Sequence, residues 1–73
     1  MRVTLDRSAD AAYIYFTVDE PDVAKTLPIS PHKACGHMVN LDFDRTGRLI
    51  GIELLDASKG LPLELLDKAE IIG

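Results

Sequence analysis

The sequence predicts a small α+β domain: an antiparallel β-sheet of four to five strands, made of two hairpins, with one short C-terminal helix packed on one face. Two observations predict this class. Short apolar runs that alternate with polar residues or contain many β-branched residues continue to Leu55, and clusters of turn formers separate them. After Pro62 the apolar residues take a helical spacing. We expect residues 1–73 to form a single small domain.

The first hairpin is expected between Arg2 and Val18. A short alternating run, Arg2 to Leu5, is followed by turn formers from Asp6 to Asp10 and by a β-branched and aromatic run from Ala12 to Val18. Successive strand residues point to opposite faces, which gives an expected core face and an expected outer face. The core face holds Ala12, Ile14, Phe16 and Val18, and the outer face holds Tyr13, Tyr15 and Thr17, whose tyrosines pack with their hydroxyls in water.

The next strand is expected at a sheet edge. Val23 to Ile29 forms a short run that contains Pro28, and proline lacks the N–H that an inner strand needs. The following loop contains His32, Cys35 and His37, but zinc usually needs a fourth ligand, and the chain has one cysteine and two histidines. A zinc site shared across a dimer stays open, as does a Cys35 nucleophile with His37 as its base. We expect a loop without metal, and the single cysteine indicates a reducing compartment.

The stretch Leu41 to Glu53, LDFDRTGRLIGIE, admits two interpretations. One is an EF-hand calcium loop, and the other is a hairpin with an Asp-x-x-Gly turn. An EF-hand needs a helix on each side, and proline and glycine interrupt both flanks. We therefore predict the hairpin. Asp42, Asp44, Thr46, Gly47 and Glu53 would occupy positions one, three, five, six and twelve of the calcium loop. The flanking interruptions are Pro31, Gly36, Gly60 and Pro62.

In the predicted hairpin, Asp44 accepts backbone hydrogen bonds and faces Arg48, while Gly47 takes a positive φ. The expected register pairs Phe43 with Leu49, Leu41 with Gly51 and Val39 with Glu53. Gly51 leaves space above the sheet for a bulky side chain or a bulge.

The strand Leu49 to Leu55 has apolar residues on both faces, which is typical of a central strand covered on both sides. Downstream, Pro62 suits a first helical position, and one helix face holds Pro62, Leu65, Leu66 and Ala69. Because one short helix covers only one side of a sheet, we expect a second copy or another protein to bury the other face or an edge. The interface candidates are Tyr13, Tyr15, Ile50, Ile52 and Leu54.

Three carboxylates, Asp42, Asp44 and Glu53, are candidates for a functional patch. They could bind a divalent, calcium-like ion weakly, or Asp42 and Glu53 could act as general acid and base. Since no histidine, nucleophile or phosphate loop lies near them in sequence, we predict no catalytic residue, no cofactor and no dedicated metal site. Glu53 on an apolar strand needs a partner, for which Arg48, Lys59 or a backbone amide are candidates.

The composition and net charge limit the classes of molecule that the chain is expected to bind. A net charge of -4 with a pI near 4.9 argues against nucleic acid and favours a basic protein surface. We see no signal peptide and no apolar run of membrane-spanning length, so we expect a cytoplasmic protein that does not bind membranes.

The chain also resembles a known family. Asp6, Ala9, Asp10, Tyr13 and Ile14, followed by LDFDRTGRLIGIELLDAS from Leu41 to Ser58, are similar to the small bacterial and archaeal family called domain of unknown function 2283. The resemblance covers most of the chain outside Asp19 to Met38. It implies a compact antiparallel sheet with a helix and assigns no activity. Some members are encoded beside small toxin-like proteins, which implies an antitoxin-like partner.

The working hypothesis is a non-enzymatic, cytoplasmic protein-interaction module that self-associates as a homodimer and meets a partner protein, in the manner of an antitoxin. The alternatives are weak metal binding through Asp42, Asp44 and Glu53, and a small enzyme that uses Asp42 and Glu53.

Overall fold

The computed structural model describes residues 1–31 and 36–73, which form a six-stranded sheet and two short helices. The strands are β1 (Arg2–Asp6), β2 (Ala11–Tyr15), β3 (Lys25–Ile29), β4 (Val39–Phe43), β5 (Leu49–Leu55) and β6 (Glu70–Ile71). The helices, α1 (Ala57–Gly60) and α2 (Leu63–Asp67), lie between β5 and β6.

The strand order is β3-β4-β5-β2-β1-β6, with β5 inside the sheet. Neighbouring strands are antiparallel except β1 and β6, which are parallel. This confirms the α+β class, while the prediction of four to five strands and one helix is wrong. The sixth strand was missed because it has two residues and depends on β1, where the Ile72 N–H donates to the Leu5 carbonyl at 3.0 Å.

The first helix, α1, was missed because a distant residue fixes it. Asp56 takes a left-handed conformation (φ 55°), and the Ala57 N–H then donates to the Asp10 carbonyl at 2.9 Å. The Asp10 carboxylate accepts the Ser58 N–H at 3.0 Å and the Ser58 hydroxyl at 2.7 Å. Four residues carry too little periodicity to predict a helix. Within the described residues, no helix is long and apolar enough to cross a membrane.

The connection between β4 and β5 is the predicted hairpin. Asp44 Oδ1 accepts the Thr46 N–H at 2.8 Å and the Arg48 N–H at 3.0 Å, and Gly47 has a φ of 86°. Strands instead of helices flank the loop, so the calcium-loop geometry of an EF-hand is not formed.

The register of this hairpin is partly as predicted. Phe43 does pair with Leu49, but Leu41 pairs with Ile52 and Val39 with Leu54. The difference comes from a bulge at Asp42/Phe43, which leaves Ile50 as an extra residue on β5. Because side chains alternate, this one-residue shift decides which residues of β5 share a face with the β4 residues from Val39 to Asp42.

The pairing makes one face of the sheet apolar. Residues directly opposite each other project to the same side, so the registers align two apolar rows across the sheet. One row is Leu27, Leu41, Ile52, Ile14 and Val3, and the other is Ile29, Val39, Leu54, Ala12 and Leu5.

The core lies where α1 covers this apolar face at β5. Ala57 is fully buried, Leu54 is 6% exposed, and Gly60 of α1 lies against the Leu54 side chain. In α2, Leu65 and Leu66 are half-buried as expected for the predicted helix face, and Pro62 is exposed at its N-cap.

The predicted core face of the first hairpin is only half correct. Ala12 is 2% exposed, but Phe16 is 46% and Val18 97% exposed, because β2 ends at Tyr15. The prediction that the strand with Pro28 lies at an edge is confirmed, since β3 is the outermost strand.

Candidate functional site

The second face of the sheet, called here the polar face, collects most of the chemically active side chains. The registers align two rows on it, and both rows cross four strands or more. One row is Pro28, Asn40, Glu53, Tyr13 and Thr4, and the other is Thr26, Asp42, Gly51, Tyr15 and Arg2.

Asp42 lies at the centre of a hydrogen-bond network on the polar face. Its side chain is buried, with 8% of the residue exposed. The Tyr13 hydroxyl donates to Asp42 Oδ2 at 2.6 Å, and the Thr26 hydroxyl donates to Oδ1 at 2.6 Å. Short hydrogen bonds to a charged acceptor are stronger than neutral ones, and a buried carboxylate needs them. Asp42 therefore ties β3, β4 and β2 together across the polar face.

Tyr13 uses the space that Gly51 leaves. A Cβ atom on Gly51 would lie closer than 3.0 Å to the Tyr13 ring and hydroxyl, so glycine is required for the ring to lie there. The expectation that the Tyr13 hydroxyl is in water is wrong, because it reaches across Gly51 to Asp42. Burial, and then the hydrogen bond to Asp42, raise the pKa of the Tyr13 hydroxyl above its ordinary value. Tyr13 is thus held neutral as a hydrogen-bond donor.

Glu53 lies beside this network and is partly buried. The sequence indicated Arg48, Lys59 or a backbone amide as the partner of Glu53. In the structure the Asn40 side-chain amide donates to Glu53 Oε1 at 2.9 Å instead. The bulge is the reason, because it brings Asn40 opposite Glu53. Sequence reasoning missed Asn40 and Thr26, which only the true register could have revealed.

The three carboxylates expected as a patch are not all brought together. Asp42 and Glu53 share the polar face, while Asp44 lies in the turn and is satisfied there. Within residues 1–31 and 36–73, no three His, Cys, Asp or Glu side chains are grouped to hold a metal ion. His32 and Cys35 lie outside the described residues. His37 Nδ1 lies 3.8 Å from Asp56 Oδ2, on a different part of the chain from the polar face.

Tyr15 extends the polar face toward β1. Its ring centroid lies 4.6 Å from that of Tyr13, with the rings tilted by 55°. The Arg2 guanidinium lies over the Tyr15 ring, 3.9 Å from its centroid, and Arg2 also forms an ion pair of 3.1 Å with Glu20. A cation over an aromatic face is electrostatically favourable. One face of the Tyr15 ring therefore binds a cation of the chain itself.

A concave hollow of about 390 Å³ opens beside the two tyrosines. Among residues 1–31 and 36–73, its lining includes Thr4, Asp6, Tyr13, Tyr15, Glu53 and Leu55, and contains no lysine, arginine or histidine. Thr4 is buried at 4% exposure. The hollow is thus an acidic and aromatic concavity with an apolar wall.

The five interface candidates fall on both faces of the sheet. Tyr13 and Tyr15 lie on the polar face, and Ile52 and Leu54 lie in the apolar rows. Ile50 and Leu54 are each 6% exposed and belong to the chain's own core. Ile52 is half-buried next to Leu41.

Together these features define a small α+β protein whose mixed six-stranded sheet has a polar, tyrosine- and carboxylate-bearing face and an apolar face that α1 covers at β5. The chain belongs to the family described as protein of unknown function, DUF2283, whose family model matches residues 2–58. The match ends just after α1 begins, so it covers β1 to β5. Searches of curated proteins and of solved structures found no match to this chain.

Proposed function

We propose that this protein is a non-enzymatic protein-interaction module that works as a homodimer joined through the outer half of its apolar face. This outer half is the part of the two apolar rows carried by β3 and β4, together with Leu49. The observation that carries the proposal is the exposure of its apolar side chains: 50% for Leu27, 43% for Ile29 and 38% for Leu49.

Exposure on the apolar face depends on distance from the helices. Leu54, under α1, is 6% exposed, whereas Ile29, two strands away in the same row, is 43% exposed. Every residue of β3 is exposed. Single exposed apolar residues are common, but adjacent ones on one flat face form a patch that favours association. A second copy would cover this outer half with an identical surface.

Backbone geometry favours association through the face over association through the edge. Along a strand, the N–H and C=O groups of successive residues point to alternate neighbouring strands. The Leu55 N–H donates to the Met38 carbonyl, so the backbone of Met38 points to β5 and the backbone groups of Val39 and Leu41 point to β3. Their partners, Ile29 and Leu27, point back to β4. The backbone of Pro28 therefore faces the open edge, where proline has no N–H to donate. An added strand would lose a ladder hydrogen bond at this position, as in edges protected against pairing.

The role in the cell is proposed as that of a cytoplasmic, antitoxin-like module that presents its remaining surface to a partner protein. The net charge of -4 supports a basic partner. Asp42 supports a structural role for the polar-face carboxylates, because both of its oxygens already accept short hydrogen bonds.

The test is the mass of the protein in solution by sedimentation equilibrium at tens of micromolar. The wild type is expected at twice the 8.0 kDa chain mass. The double variant Leu27→Glu/Ile29→Glu is expected as a monomer, because charges on a buried apolar surface lack partners. The control is Val18→Glu, which adds one of these two charges at a position that is 97% exposed and outside β2.

A wild-type protein that stays monomeric overturns the dimer. The dimer through this surface is also overturned if the double variant remains dimeric, as Val18→Glu does. A thermal melt of each variant shows that a change in mass reflects the interface and not unfolding.

A further inference from the structure

We propose that the hollow on the polar face binds the guanidinium group of an arginine side chain from a basic partner protein. This site is separate from the dimer surface, because the hollow lies on the opposite face of the sheet. The inference stands on three features of the described residues: two carboxylates with a free oxygen each, a tyrosine pair, and a lining that contains no cation.

The carboxylates of the hollow are held in place and leave acceptor atoms unused. Asn40 holds Glu53 through Oε1, and the turn holds Asp6 through Oδ1, which accepts the Ser8 and Ala9 N–H groups at 3.0 and 3.2 Å. Within the described residues, neither Glu53 Oε2 nor Asp6 Oδ2 accepts a hydrogen bond. An acidic wall with oriented, unused acceptors fits a donor-rich cation and repels an anion.

The tyrosines select arginine over lysine. A planar guanidinium stacks on an aromatic ring while its N–H groups bind carboxylates, whereas an ammonium acts as a compact, strongly hydrated charge. The chain itself shows this chemistry on the same ring, since the Arg2 guanidinium lies 3.9 Å above the Tyr15 centroid. Arg2 is not among the described residues that line the hollow.

The shape of the hollow suits the rest of an arginine side chain. Leu55 and Ile72 give the wall an apolar part against which the aliphatic stem can pack. Ala9 and Ala11 in the lining have short side chains that leave room for it. A volume of about 390 Å³ lies within the range of small-molecule sites.

The test uses the full chain, labelled with ¹⁵N, and three capped tripeptides. They are Gly-Arg-Gly, Gly-Lys-Gly and the uncharged isostere Gly-citrulline-Gly. The arginine peptide is expected to shift the amide signals of Tyr13, Tyr15 and Glu53 with a millimolar Kd. The lysine peptide is expected to bind several-fold more weakly, and the citrulline peptide to leave the signals unchanged.

Two variants locate the site. Glu53→Gln keeps an oxygen for Asn40 but removes the charge, and we expect it to raise the Kd of the arginine peptide about tenfold. Asp6→Asn serves in the same way if Glu53→Gln does not fold. The matched control is Glu64→Gln on α2, outside the hollow, which should bind like the wild type.

Equal shifts with the citrulline peptide would overturn the proposal. Shifts that fall outside the hollow, or equal affinities for Glu53→Gln and Glu64→Gln, would overturn it too. Equal binding of the lysine and arginine peptides would reduce the site to a nonspecific acidic surface and so reject the guanidinium assignment. None of these outcomes changes the mass measured in the dimer test, so the two proposals fail independently.

Discussion

Replacing Gly51 by alanine should destabilise this protein far more than alanine at its other described turn or loop glycines. The new Cβ would lie closer than 3.0 Å to the Tyr13 ring, so the ring must move. Overpacking a fitted site costs about 1–3 kcal/mol. Moving the ring also breaks the 2.6 Å hydrogen bond to Asp42, and losing a bond to a buried charge costs roughly 1.5–3 kcal/mol.

The two costs are not additive because both follow from moving the same ring, so the expected loss in the free energy of unfolding is about 3 kcal/mol, the upper end of either cost. This corresponds to a fall in Tm of roughly 12–24 °C for a domain of this size. Two other glycines are controls. None of the described residues lies within 4 Å of a Cβ added at Gly36, so Gly36→Ala should change stability by less than about 0.5 kcal/mol. Gly47 also has open space but a φ of 86°, so Gly47→Ala should cost about 1–2 kcal/mol from backbone strain alone.

Circular dichroism melts of the three variants, with urea titrations at a fixed temperature, measure these differences. The double variant Gly51→Ala/Tyr13→Leu is a further check, because a smaller side chain at position 13 should make the two costs non-additive. If Gly51→Ala melts within about 2 °C of the wild type, the ring does not depend on the space above Gly51, and the account of the polar face is wrong.

Three further predictions concern single groups. Because the pKa of the Tyr13 hydroxyl is raised in the folded state, this hydroxyl stabilises the fold below about pH 10, and the contribution is lost as pH rises further. A Tyr15→Phe variant keeps Tyr13 as its one tyrosine, so phenolate should form only as the protein unfolds, which ultraviolet absorbance measures. Hydrogen bonds from Thr46 and Arg48 lower the pKa of Asp44, so the stability that Asp44 contributes is present above its pKa in the unfolded chain and is lost as pH falls. An NMR titration should place the midpoint of Asp44 below 3.8, and a midpoint at or above 3.8 would contradict the turn geometry. Asp10 has a φ of 50° and anchors α1, so Asp10→Ala should cost about 2 kcal/mol and Asp10→Asn less, because asparagine tolerates this conformation; equal melts would show that neither the strain nor the anchoring matters.

Much of the fold could be predicted because its signals are local. The Asp44 to Gly47 turn follows from the hydrogen-bonding capacity of aspartate and the freedom of glycine at positive φ. Pro28 predicted an edge strand because proline lacks an N–H. Apolar residues on both faces of β5 predicted that this strand lies inside the sheet, which the strand order confirms.

The tertiary structure decided the features that depend on distant partners. A one-residue bulge, which alternation alone cannot predict, set the face shared by Asp42, Glu53 and Tyr13. The first helix depends on Asp10, and β6 depends on β1.

The sequence by itself therefore determined the α+β class, the hairpins, the edge strand and the acidic character, since each follows from residue type and spacing. Only the tertiary structure decided how Tyr13 reaches Asp42 over Gly51, where the hollow opens and which apolar residues stay exposed. These depend on register, and register is a balance of packing between strands that are far apart in the sequence.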